Sequence, residues 1–82
     1  MSDPVPSEQV LDVRLTPKPD KHPKIFAAFA GLSVGETFLL VNDHDPRHLR
    51  EEFERDHAGR FSWDYVSREP RDWQIRIGKL AG

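Results

Sequence analysis

The chain has 82 residues, with 14 acidic against 12 basic side chains, a formal net charge of −2 and no cysteine. Disulfides, thiolate metal centres and cysteine nucleophiles are thereby excluded, and the interspersed charges give no electrostatic footprint for nucleic acid. No apolar run approaches the ~20 residues that span a bilayer. A chain this short buries only about 60% of the surface its unfolded form exposes, so one modest core is expected and a ligand has to sit at an edge or a loop end.

Residues 1–8 carry Pro4 and Pro6 and little apolar content, and read as a flexible tail. They lack the basic and apolar regions of a signal peptide, so cytoplasmic residence is the expectation. A single domain is expected over 9–80. Leu11 and Val13 alternate with polar residues between Gln9 and Arg14, which predicts a short strand. Pro17, Pro19 and Pro23 follow in close succession. Proline removes amide donors and restricts its predecessor, so 17–23 is expected to be irregular, with Pro23 opening a helix and His22 as its N-cap. Ile25, Phe26, Phe29 and Leu32 then recur at helical spacing, and Gly31 marks the stop.

After a turn at Val34-Gly35-Glu36, the run Thr37-Phe38-Leu39-Leu40-Val41 predicts a mostly buried strand. Asp45 is a good N-cap and Pro46 suits the first helical position, so a second helix is expected from Pro46 to about Asp56, turning Leu49 and Phe53 inward. His57 reads as a partner for the dipole at its C-terminal end. Phe61, Trp63 and Tyr65 alternate with polar residues, as do Trp73, Ile75 and Ile77 after a turn at Glu69-Pro70-Arg71-Asp72, which predicts an antiparallel hairpin. The order β-α-β-α-β-β implies an α+β two-layer sandwich, a four-stranded mixed sheet with both helices on one face.

That topology brings both strand-to-helix loops to one edge of the sheet, where ligands of such folds commonly bind. Two chemistries are open there. His22, His44 and His48, with Asp43 or Asp45, could hold a transition metal, because neutral imidazole suits zinc, copper, nickel and iron and helix N-termini disfavour imidazolium. Against this, His44-Asp45-Pro46-Arg47-His48 matches no strict metal motif and helix capping is a sufficient role for Asp45. Alternatively Arg14, Lys18, Lys21 and Arg47 could bind phosphate, carboxylate or a cofactor beside free helix amides. Trp63, Tyr65 and Trp73 should be neighbours, as packing or, if uncovered, as a protein-binding surface. No G-x-S-x-G, Walker loop or G-x-G-x-x-G is present, so no hydrolase, transferase or nucleotide-binding site is expected.

Leu11-Asp12-Val13-Arg14, the proline-rich loop, Val34-Gly35-Glu36 and Val41-Asn42-Asp43-His44-Asp45-Pro46 together resemble an uncharacterised bacterial domain family related to the TusA/SirA sulfur carriers. The resemblance runs over about residues 9 to 79, with His-Pro before the first helix and Phe-x-Trp-x-Tyr in the third strand. It implies the same sandwich. It does not imply sulfur transfer: the carriers use a Cys-Pro-x-Pro motif at the start of the first helix, and the matching stretch near Lys18-Pro19 has no cysteine, which excludes a persulfide relay. Members of this branch resemble neighbours of hemerythrin-like and nitrogen-oxide-related proteins, which implies a metalloprotein or redox partner. The expected function is a non-catalytic accessory domain whose loop end binds a transition metal, a redox cofactor or a small anion. A protein-interaction module is the alternative, and a small His/Asp enzyme the third.

Overall fold

The computed structural model describes residues 9–81. The expected tail over 1–8 lies outside them. Six elements follow in the expected order: β1 (Gln9–Asp12), α1 (Lys18–Ala30), β2 (Thr37–Asn42), α2 (Arg47–Asp56), β3 (Phe61–Glu69) and β4 (Asp72–Lys79). They form one four-stranded sheet in the order β1-β2-β4-β3. The β1–β2 pair is parallel, and the β2–β4 and β3–β4 pairs are antiparallel.

Side-chain alternation decides which face is covered. Phe38 opposes Ile77 and Leu40 opposes Ile75 across β2 and β4, and these four join Ile25 and Phe29 of α1 with Leu49 and Phe53 of α2 in one buried cluster. Both helices therefore lie on the same face of the sheet. Phe53, wholly buried, is the hub. It stacks on Phe26 at 4.7 Å, meets Phe29 edge-on at 5.1 Å and packs against Phe61 and Trp63 of β3. A fully buried aromatic of this size contributes on the order of 3 kcal/mol by area alone. His57 stands at the C-cap of α2, where the expectation placed it, and its ring also lies 5.0 Å from Phe29 and 5.7 Å from Phe53, against this cluster.

Three boundaries differ from the expectation, each for a local reason. The first strand ends at Asp12 rather than Arg14, because Arg14 folds back onto Asp12, its backbone amide and guanidinium both donating to that carboxylate at 2.7–3.2 Å. Helix α1 begins at Lys18, five residues before Pro23, with Pro17 at the N-cap and His22 inside the helix. Pro19 is tolerated because first-turn amides have no intrahelical acceptor. Pro23 sits inside the helix and costs one bond, that of its missing amide to the Pro19 carbonyl. Helix α2 begins at Arg47, with Pro46 at the N-cap position and no side-chain cap.

The β3–β4 hairpin carries two irregularities that aim side chains. The register shifts between Tyr65 and Ser67, so Val66 is an inserted residue that points outward. The bulge puts Arg68 opposite Trp73 and lays its guanidinium over the Tyr65 ring at 4.5 Å. The turn Pro70-Arg71 then places Arg71 at φ 62°, a left-handed conformation that costs a residue with a Cβ roughly 1–2 kcal/mol. Arg71→Gly should therefore raise stability by about 1 kcal/mol, seen in thermal unfolding as a rise of about 4–8 °C for a domain of this size. An unchanged or lower midpoint would contradict the strain assigned to this turn.

Candidate functional site

Because β1 and β2 run parallel, Asp12 and Asn42 end at the same edge of the sheet, and Asn42 pairs with Trp73 at the start of β4. The β1–α1 loop, the β2–α2 loop and the β3–β4 turn therefore meet there. Arg14 ties the first to the last by donating to the Arg71 carbonyl at 3.4 Å. Between the first turns of α1 and α2 lies an open pocket of about 450 Å³.

The pocket gathers most of the residues expected from sequence. His22, His44 and His48 line it, as do Lys18, Lys21, Arg47 and Asp45. Arg14 does not: its charge is taken by Asp12, on a separate surface with Leu15, Asp43 and Arg71. The histidines do not converge on a common ion. His22 Nδ1 lies 2.8 Å from Glu52 Oε1, and His44 Nδ1 lies 2.7 Å from Asp43 Oδ1. His48 is 92% exposed, 3.8 Å from Glu51. Among the described residues no group of three His, Asp or Glu side chains is placed to hold a metal ion. In the His22 and His44 pairs the ring N–H at Nδ1 donates to a carboxylate, so a neutral ring keeps its lone pair on Nε2. Glu52 and Asp43 themselves do not line the pocket.

Lys21 is the unusual group. It is buried, only 9% exposed, on the pocket wall. Its ammonium donates to Asn42 Oδ1 over a long 3.3 Å and lies 3.8 Å from Asp43 Oδ1. Asn42 is itself buried, and the same Oδ1 accepts the Asp43 amide at 2.9 Å. An ammonium carries three donors; here one meets the Asn42 amide oxygen and the Asp43 carboxylate supplies an opposite charge nearby.

The backbone contributes less than expected. Pro17 and Pro19 have no amide to offer, and the Asp20 amide is taken by the Pro17 carbonyl at 2.9 Å. At α2 the Arg47 amide is bonded to the Asp45 carbonyl at 2.8 Å, leaving His48 and Leu49 as the first-turn amides without an intrahelical acceptor. The positive character of the pocket rests on side chains, above all Lys18, Lys21 and Arg47. Asp45, expected as an N-cap, instead accepts the Tyr65 hydroxyl at 2.8 Å and lies 3.5 Å from Arg47 Nε. Its charge is thus partly offset from the hairpin side.

Two partners of the pocket's side chains were not placed there from sequence, Glu52 beside His22 and Tyr65 beside Asp45. Glu52 follows Leu49 by three residues and precedes Phe53, a carboxylate beside the apolar stripe of α2, and that position was the available signal. Tyr65 reaches Asp45 across 20 residues of chain, which no local pattern announces.

A two-layer α+β domain with a cation- and imidazole-lined pocket at the loop edge is the class that these observations define. The chain belongs to the family described as "Uncharacterized conserved protein (DUF2249)", which matches residues 10–79. No curated protein and no solved structure matches it. No helix among the described residues is long and apolar enough to cross a membrane.

Two carboxylates of this edge titrate low. Hydrogen bonds from the Arg14 side chain and then its amide hold Asp12 below the usual aspartate value, against a smaller push from burial. The His44 hydrogen bond does the same for Asp43, opposed in part by burial and helped by the Lys21 charge. A depressed carboxyl stabilises the fold above its unfolded pKa of about 3.9 and loses that contribution as pH falls through the folded value. Stability should therefore drop below about pH 4, and the drop should shrink in Asp12→Asn with Asp43→Asn. Both side chains are 44% exposed, so 1 M salt should shrink it too. Denaturant midpoints between pH 6 and pH 2 check this, and identical pH profiles for variant and wild type would contradict it.

Proposed function

We propose that this domain is a non-catalytic binding module that takes a small anion, a carboxylate or a phosphate, in the pocket between α1 and α2. The observation that carries the reading is the convergence of the largely buried Lys21 with Lys18 and Arg47 on the wall of one pocket, whose lining holds a single carboxylate, Asp45. Three cationic side chains on one pocket wall favour an anionic ligand, because hydrogen bonds from a charged donor are stronger than neutral ones and are less screened away from bulk water. The same cations count against a divalent metal ion held by His22, His44 and His48, although Asp43 and Asp45 offset two of them at 3.8 and 3.5 Å. The histidines fit an anion site as well: protonated, each adds an N–H donor at Nε2, while its Nδ1 partner, Glu52 or Asp43, balances the charge.

Calorimetric titration with phenyl phosphate and, separately, with zinc chloride tests this. Phenyl phosphate should bind one to one, more weakly as salt rises from 20 to 500 mM. Lys21→Met should lose about tenfold or more of that affinity while remaining folded, since Asn42 Oδ1 keeps the Asp43 amide and the half-exposed Asp43 keeps its contact with His44. Stoichiometric zinc binding without anion binding would overturn the reading in favour of a metal site.

A further inference from the structure

Resting on that reading, the composition of the pocket wall narrows the ligand: we infer that the site takes an organic anion, a phosphate or carboxylate carried on an apolar skeleton the size of a single ring, in preference to a free inorganic ion. Its lining is of two chemistries. Lys18, Lys21 and Arg47 supply the charge, whereas Pro19 and Ile25 from α1 face the pocket together with Pro46 and Leu49 from α2. Ile25 and Leu49 are each only 1% exposed and belong to the hydrophobic cluster, so the cavity has a floor made by the core itself.

Size points the same way. A volume of about 450 Å³ falls within the roughly 300–1,000 Å³ of small-molecule sites, which are mostly apolar with a few placed polar groups. An inorganic phosphate or a single metal ion would fill a small part of it and leave the apolar floor wet. A ligand with an anionic head and an apolar body covers the floor and meets the cations at once. The two prolines strengthen the case. Pro19 and Pro46 add apolar wall where other residues would present amide N–H groups, and they remove donors that would suit a small, fully hydrated oxyanion. The groove between the helices thus combines an apolar base with cationic side chains on its walls.

A ligand series separates this inference from the reading beneath it. Inorganic phosphate, methyl phosphate, propyl phosphate and phenyl phosphate share the head group and differ in apolar area, and phenol supplies the ring without the charge. Affinity should rise along the four phosphates, by up to about fourfold per methylene buried, with phenyl phosphate at least tenfold tighter than inorganic phosphate. Phenol should bind at least tenfold more weakly than phenyl phosphate. In Lys21→Met the gradation should persist at a lower overall affinity, because the floor is intact while the head-group contact is lost. Equal affinity for all four phosphates would overturn the inference while leaving an anion site in place. A gradation with no loss of affinity in Lys21→Met would place the binding elsewhere and overturn it too. Failure of every phosphate to bind would overturn the anion reading itself.

Discussion

A lysine ammonium withdrawn from water has to be met by protein atoms or by a ligand, because the cost of leaving it unsolvated runs to several kcal/mol. In this domain that group is Lys21, on the second turn of α1, and its neighbours are arranged around it. Asn42, the last residue of β2, accepts the ammonium and the Asp43 amide on the same oxygen, joining the start of a helix to the end of a central strand. Asp43 accepts from His44 and lies near the ammonium without closing on it. The start of the loop from β2 to α2 thus meets this charge with one amide oxygen and one carboxylate. On the proposed reading, this lysine is the anchor of the binding site.

The sheet makes this arrangement available. Parallel pairing of β1 with β2 sends both following loops to one edge, and the antiparallel β4 brings the hairpin turn to the same place. From there the hairpin reaches the pocket through Tyr65, whose hydroxyl holds Asp45 and whose ring carries Arg68. The bulge at Val66 is what puts Arg68 on the Tyr65 face. A chain of specific contacts therefore runs from the aromatic hairpin to the pocket rim, and the rim's one lining carboxylate is engaged by it.

Much of the fold was legible because strand and helix periods differ. The alternation in β3 and β4, the solid apolar run of β2 and the Ile25–Phe29 and Leu49–Phe53 pairs each point to one element type, and all appear as expected. The start of α1 was not legible, because three prolines in seven residues read as breakers. Two of them fall where a helix has no amide to lose, and the third, Pro23, costs a single bond. The overlooked signal was the four-residue spacing Lys21, Ile25, Phe29, a buried stripe that begins on a charge. Sequence placed His22, His44, His48, Lys18, Lys21 and Arg47 at one edge through topology alone, and they line one pocket there. It could not show that His22 faces Glu52, that Arg14 is taken by Asp12, or that Asp45 answers to Tyr65, since such pairings depend on side-chain directions set by tertiary packing.

The most direct measurement of whether Lys21 anchors a ligand is NMR of the lysine side-chain Nζ and Cε signals while phenyl phosphate is added. The account predicts that the Lys21 resonances move first and saturate at one equivalent, with smaller shifts at Lys18 and none at Lys24 or Lys79. Lys21 signals that stay fixed while the exposed lysines drift together would show that the buried ammonium meets no ligand, and the central claim would fall.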